Sequence, residues 1–314
     1  MTRNKKQHFV PRSYLKAWCD PHTPKGHEPY VWRFAFDGES SSRKSPDNIF
    51  HETDMYTIHL PDGDRDLAIE HGLAQLEGEF VRVRDGAIAQ QRKLRMSEYS
   101  VLCAFAIAMR ERTRVQRDHM AGQWQQVLDL AEGMRQWAEG ATENEKRAAA
   151  SLSLGQSSQR ISYEEVASLA TQPLQTTLIP VVQKVTPLLA KLDCAVITAL
   201  PEAEDFITSD NPCVWLDKDA HLRPPLYRAV GLACPGIEIS LPISPRQLAF
   251  FTHQGISGYL PATQELVQEF NRRTRFEAAE YFVSRTNQTN PFWFDPAVAP
   301  ADSWERRHPK SEPR

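Results

Sequence analysis

The fold is decided by residues 97–109, which read SEYSVLCAFAIAM. Ser97 is predicted to be the N-cap of a helix, because its side chain can accept a hydrogen bond from a free backbone N–H. From Tyr99 to Met109 the residues are apolar nearly all round the helix. A helix without a polar face must be surrounded by other elements. The stretch therefore predicts a buried central helix, and its pattern continues as a charged helix through Arg110–Met120.

The segments on either side of this helix differ in periodicity. Residues 67–83 place apolar side chains at helical spacing, which predicts an amphipathic helix beside the central one. Residues 30–36 are aromatic and β-branched, and residues 237–242 and 247–252 favour strands in the C-terminal half. We therefore predict an α+β fold, in which buried central helices pack on a mixed or mainly antiparallel sheet.

The domain organisation follows from these changes of pattern. Residues 1–295 are predicted to form a single α+β domain with an inserted helical layer at about 66–192. Within that layer, residues 139–160 are rich in Glu, Ala, Ser, Gln and Gly and are predicted to be a mobile connection. Residues 296–314 form a proline-rich charged tail.

Composition excludes several classes of protein. The chain has 314 residues with 37 Lys+Arg and 40 Asp+Glu, so its net charge of −3 argues against a uniformly basic nucleic-acid coat. Mean hydropathy is −0.51, and no apolar run of about 18 residues predicts a membrane span. The basic start lacks the apolar stretch of a secretory signal, and five scattered cysteines suit a reducing compartment. A cytoplasmic location without membrane contact is expected.

The small net charge conceals a strong asymmetry along the chain. Residues 1–18 contain five basic residues and no acid, and residues 110–117 contain four arginines against Glu111. Residues 202–219 contain six acids against Lys218. These segments are either solvated faces, as charge runs usually are, or the walls of one cleft.

His8 lies between the basic N-terminus and an apolar helix start. Because imidazole titrates near neutral pH, His8 is a candidate general base or a metal or phosphate contact. The alternative is a helix-entry residue whose ring bonds a backbone carbonyl.

The predicted helices carry two charge patterns of opposite sign. Glu70 and Glu77 are seven residues apart, so they share a helix face and could bind a divalent cation or exchange protons. Arg110, Arg114 and Arg117 form a complementary stripe at i, i+4 and i+7. Buried Glu–Arg pairing explains both patterns without a ligand.

Ser209-Asp210-Asn211-Pro212 follows a predicted strand. Asp and Asn before Pro favour a turn, in which the Asp210 side chain bonds backbone N–H groups two residues on. The competing interpretation is a metal-binding or catalytic carboxylate at a strand end. The commonest two-metal nuclease pattern, an Asp followed by Glu-x-Lys on the next strand, is absent.

Several of these segments together resemble a mostly bacterial family, domain of unknown function 4238. The resemblance spans roughly residues 7 to 287, and it departs from the family's habit at Arg114, where a proline often follows the Arg-Thr pair. The family implies which residues to suspect and supplies no reaction for them. The matching segments are Gln7–Leu15, Ile69-Glu70 with Leu76-Glu77, Arg110 with Arg112-Thr113, Phe206–Pro212, Leu241–Pro245 and Asn271.

Two functions of different classes follow. The first is a phosphodiester hydrolase acting on nucleic acid or a nucleotide, in which His8, Glu77 and Asp210 are catalytic and Arg110, Arg114 and Asn211 bind substrate. A divalent metal, Mg²⁺ or Mn²⁺, would then be held by Glu77 and Asp210. The second is a non-catalytic binding or regulatory module, whose charged residues form an ion-paired core.

Overall fold

The computed structural model describes residues 6–60, 62–152, 161–217, 219–224 and 230–295. Over this part of the chain, helices and mostly antiparallel sheets are segregated along the sequence, and the predicted α+β class is confirmed. The predicted charged tail, residues 296–314, lies outside the described residues.

The helices fall mainly between the N-terminal and C-terminal strands. They are α1 (Arg12–Leu15), α2 (Ala68–Val83), α3 (Met96–Glu111), α4 (Arg114–Gly140), α5 (Glu143–Leu152), α6 (Tyr163–Thr171), α7 (Pro173–Leu189) and α8 (Gln264–Glu277). The strands are β1 (Lys6–His8), β2 (Val31–Ala35), β3 (Ser41–Lys44), β4 (His51–Thr53), β5 (Ile58–His59), β6 (Arg65–Asp66), β7 (Asp193–Ala199), β8 (Thr208–Ser209), β9 (Val214–Asp217), β10 (Ile237–Ser244), β11 (Gln247–Thr252), β12 (Gly258–Ala262) and β13 (Tyr281–Ser284).

Helix α3 is the buried central helix that the sequence predicts. It packs between α2 and α7, and its Phe105 ring stacks on Phe80 of α2 with a centroid separation of 3.6 Å. The predicted start at Ser97 is wrong by two positions, because Arg95 is the N-cap and its backbone N–H donates to the Glu98 carboxylate at 2.7 Å.

Two sheets flank this helical layer. The larger has the order β12-β7-β11-β10-β9, with every pair antiparallel except β12 and β7. The smaller has the order β3-β2-β13-β8 and is antiparallel throughout. A mixed, mainly antiparallel arrangement therefore covers the buried helices, as predicted.

The predicted continuous helix across Arg110–Met120 is wrong. Helix α3 ends at Glu111 and α4 begins at Arg114. Thr113 causes the break, because its hydroxyl accepts a hydrogen bond from Gln116 N–H at 3.3 Å and caps the new helix. The interruption separates Arg110 from the stripe it was predicted to share with Arg114.

The predicted connection at residues 139–160 is in part helical. Helix α4 continues to Gly140, and α5 occupies Glu143–Leu152. Two glutamates lie in the first turn of α5, where acidic side chains favour the positive end of the helix dipole. The remaining residues of the connection, 153–160, lie outside the described residues.

The N-terminal segment is anchored to both sheets. The Tyr14 hydroxyl donates to the Pro242 carbonyl at 2.6 Å and shares a hydrogen bond with Thr208 at 2.7 Å. The Trp18 indole donates to the Phe206 carbonyl at 2.8 Å. Strand β1, just before this segment, pairs antiparallel with β4, so that His8 lies opposite His51.

Candidate functional site

A cavity of about 750 Å³ lies between strand β1, helix α2 and the end of α3. Its wall combines basic groups from the N-terminal segment with acidic groups from α2 and the loop before β4. The lining residues are Lys6, His8, Arg12, Glu28, Asp47, Asn48, Glu70, His71, Ala74, Glu77 and Arg112. The volume of this cavity falls within the range of small-ligand sites, about 300–1,000 Å³.

Arg112 holds the wall together. Its side chain is only 2% exposed, and its Nη1 donates to Glu77 Oε1 at 2.8 Å while Nη2 donates to the His8 carbonyl oxygen. Tyr56, also buried, donates its hydroxyl hydrogen to the Arg112 carbonyl at 3.1 Å. The buried guanidinium therefore joins α2 to the strand that carries His8.

The surroundings of the His8 ring favour its neutral form. Burial, together with the nearby charges of His51 and Arg12, lowers the pKa of His8 to about 4, although a hydrogen bond with the Asp47 backbone opposes the shift. The Nε2 atom is shielded from solvent and has no hydrogen-bond partner among the described residues. A buried polar atom without a partner requires an explanation, and one explanation is a ligand that supplies the partner.

Glu70 is perturbed in the opposite direction. Burial raises the pKa of its carboxyl group, with the Arg112 charge opposing and the Glu77 charge adding to the shift. Glu70, Ala74 and Glu77 lie at i, i+4 and i+7 on α2, so they present one helix face to the cavity. The cavity thus contains a weakened base and a weakened acid, which is the pairing that proton transfer requires.

The cations of the cavity differ in how they are paired. Arg112 pairs with Glu77, and Arg12 pairs with Asp47 at 3.3 Å. Lys6 instead donates to the amide oxygen of Asn48 at 3.4 Å. Lys6, whose partner is a neutral amide, is therefore the cation best placed to contact an incoming anion, and Arg12 is accessible because 56% of its side chain is exposed.

Asp210 lies in a different part of the molecule and forms a backbone clamp. Its carboxylate accepts hydrogen bonds from the N–H groups of Ala279, Glu280 and Tyr281 at 2.7, 2.8 and 2.9 Å. The neighbouring Asn211 side chain donates to the Glu277 carbonyl at 3.0 Å. The predicted bond from Asp210 to N–H groups two residues on is wrong, because the carboxylate instead closes the turn between α8 and β13.

We expect Asp210→Ala to lower the free energy of unfolding by about 2–4 kcal/mol, because three backbone donors lose a charged acceptor. Asp210→Asn keeps one acceptor oxygen and should cost less. Urea denaturation of the three proteins measures the difference. A large loss of activity in Asp210→Ala at unchanged stability would instead restore Asp210 to the predicted catalytic role.

The predicted substrate-binding arginines have other partners. Arg114 pairs with Glu52 at 2.7 Å and with Glu280 at 3.2 Å. Arg110 lies over the Trp215 ring, 4.2 Å from its centroid. Of the six predicted site residues, His8 and Glu77 line the cavity, and Asp210, Asn211, Arg110 and Arg114 do not.

A family model for proteins of unknown function, DUF4238, matches residues 6–288. The chain belongs to the DUF4238 family. The resemblance seen in the sequence is confirmed, and the matched region includes every residue that lines the cavity. No curated protein and no solved structure matches this DUF4238 chain.

The acidic segment at residues 202–219 does not line the cavity. Glu204 accepts hydrogen bonds from four side chains, Asn271, Trp293, Gln264 and Asn290. The other acids of this segment also serve the local structure, since Asp205 pairs with Arg246 and Arg285. The basic segment at residues 1–18 and the arginine-bearing segment at residues 110–117 do meet at the cavity, through Lys6, Arg12 and Arg112. Two of the three charged segments therefore converge.

The predicted metal ligands of the DUF4238 chain are separated. Glu77 and Asp210 line different cavities, and among the described residues no group of three or more His, Cys, Asp or Glu side chains could hold a metal ion. A cation bridging these two carboxylates does not fit this arrangement.

In the part of the chain that the structure describes, no helix is both long enough and apolar enough to cross a membrane.

The sequence does not single out Arg112 as a site residue, although its side chain joins the walls of the cavity. The signal was present, because Phe105, Met109 and Arg112 lie at i, i+4 and i+7 and Phe105 and Met109 are buried. Extending the buried stripe by one step past the end of α3 would have predicted a buried guanidinium. A buried arginine in turn requires a carboxylate and a carbonyl as partners.

Proposed function

We propose that this protein is a phosphodiester hydrolase acting on nucleic acid or a nucleotide, with the cavity beside strand β1 as its active site. The observation that carries the proposal is His8, which lines a polar cavity and has both a lowered pKa and a buried Nε2 without a hydrogen-bond partner. Such a group can accept a proton from an attacking water molecule.

The proposed reaction divides proton transfer between two residues. His8 Nε2 removes a proton from water as the water oxygen bonds to phosphorus. Glu70, whose pKa burial raises, gives a proton to the ester oxygen as the P–O bond breaks. Both groups then return to their starting states by exchanging one proton with solvent, so the balance of atoms is complete.

The charges of the cavity are close to balance before a substrate binds. Of its four carboxylates, Glu77 pairs with Arg112 and Asp47 pairs with Arg12, whereas Glu28 accepts a hydrogen bond from the Ser45 hydroxyl. The raised pKa of Glu70 favours its neutral form. Lys6 then supplies a positive charge for a non-bridging phosphate oxygen.

The purified protein should cleave bis(p-nitrophenyl) phosphate or a labelled RNA or DNA oligonucleotide, assayed in EDTA, Mg²⁺ and Mn²⁺. We expect kcat/KM to rise as pH increases through about 4, where the His8 imidazole loses its proton. It should fall again at higher pH as Glu70 ionises. Absence of cleavage of all these substrates in all three conditions contradicts the proposal.

The buried Glu77–Arg112 pair favours a second candidate, a non-catalytic binding module with an ion-paired core. In that case, the cavity binds an anion without transforming it. The same assays distinguish the two functions, because a binding module should be thermally stabilised by phosphate esters that it does not cleave.

A further inference from the structure

A second cavity of about 380 Å³ adjoins the first one. Arg12, Glu28, Asp47 and Glu77 line both cavities, so they form the boundary between the two. The remaining lining residues of the second cavity come from α1 and the turn after it, from the loop before β2 and from the turn after β3. They are Ser13, Lys16, Cys19, Pro29, Ser45 and Pro46.

One lining residue of each cavity has a buried polar side-chain atom without a partner. It is His8, through Nε2, in the first cavity and Ser13, through Oγ, in the second. Hydroxyl groups shielded from solvent are normally hydrogen-bonded. Among the described residues, neither atom finds a partner within the chain, so each lacks a hydrogen bond that a ligand in the adjoining cavity could supply.

The cations are also divided between the two cavities. Lys6 lines only the first cavity, Lys16 lines only the second, and Arg12 lies at the boundary. Lys16 and Arg12 are exposed, so both can reach a bound anion. The two cavities together therefore offer three cations for an anionic ligand, and Glu28, Asp47 and Glu77 share the boundary with Arg12.

We propose that the two cavities form one groove for an oligonucleotide, which extends at least one nucleotide to each side of a phosphate at Arg12. This inference rests on the proposed function and deepens it by naming the substrate class. Both volumes fall within the range of about 300–1,000 Å³ that holds small ligands. A phosphodiester carries two ester groups, and the groove provides one compartment for each.

Equilibrium binding tests the groove separately from catalysis. The probe is dithymidine joined by a phosphinate, in which methylene groups replace both bridging ester oxygens so that no P–O ester bond can be cleaved, and the reference is thymidine 3′-monophosphate. Calorimetric titration of the full chain should show the dinucleotide analogue binding at least about tenfold more tightly. Ser13→Ala should lower the affinity for the dinucleotide analogue by about 2–12-fold, the range for one lost hydrogen bond. It should leave the affinity for the monophosphate unchanged.

The Ser13→Ala variant discriminates well because Ser13 Oγ has no partner to lose in the free protein. Its melting temperature should therefore not fall, and Ser42→Ala, outside both cavities, should match wild type in both affinities. Equal affinities for the two ligands, or no effect of Ser13→Ala, would overturn the groove. Cleavage of small diesters alongside equal affinities refutes only the groove, whereas discrimination without any cleavage supports the groove and refutes the hydrolase.

Discussion

Replacing His8 with alanine should lower kcat/KM for phosphodiester cleavage by about 10²–10⁴-fold, the usual contribution of a general base. His8 lines the cavity and has an unpartnered Nε2 and a lowered pKa, and alanine offers no proton acceptor there. The rising limb of the pH profile near pH 4 should disappear with the imidazole. Initial rates on bis(p-nitrophenyl) phosphate between pH 3.5 and 8 measure both effects.

The matched control is His59→Ala, because His59 is exposed and does not line the cavity. It should retain the wild-type rate and pH profile. Far-UV circular dichroism establishes that His8→Ala remains folded. If a folded His8→Ala protein retains more than a tenth of the wild-type rate, His8 is not the general base.

Arg112→Met should lower the free energy of unfolding by about 3–5 kcal/mol, the usual cost of removing one partner of a buried ion pair. Methionine fills much of the space but leaves the Glu77 carboxylate and the His8 carbonyl without their donor. Urea denaturation at pH 7 measures the loss. Because Glu77 is only partly buried, with its side chain 20% exposed, the effect should lie toward the lower end of this range.

Arg114→Ala is the matched control for a lost arginine. Its ion pairs with Glu52 and Glu280 lie at the surface, with 44% of the Arg114 side chain exposed, so its removal should cost at most about 1 kcal/mol. A smaller effect of Arg112→Met than of Arg114→Ala would show that Arg112 is not the residue that holds the cavity wall together.

The central helix could be predicted because its signal is local. Residues from Tyr99 to Met109 are apolar on nearly every face, and only burial satisfies such a helix. The shared face of Glu70 and Glu77 could be predicted for the same reason, since spacing along one helix determines it. Both features depend on periodicity and need no knowledge of the remaining chain.

The partners of the charged residues could not be predicted in this way. Arg112 donates to a carbonyl 104 residues earlier in the chain, and Asp210 accepts from N–H groups 69 to 71 residues later. Helical spacing suggested that Arg110 and Arg114 would share a stripe, but the Thr113 cap breaks the helix between them. Which arginine meets which carboxylate is decided by the packing of distant segments.

Strand β1 has a consequence for the energetics of ligand binding. It contains three residues, and it is held by the β4 backbone, by Gln7 hydrogen-bonded to Thr57 at 2.9 Å, and by Arg112. Detachment of so short a strand would dismantle the cavity while the central helix stayed buried. Docking of β1 and ligand occupancy are therefore thermodynamically linked: apparent affinity is scaled by the docked fraction, and a ligand shifts the equilibrium toward the docked state.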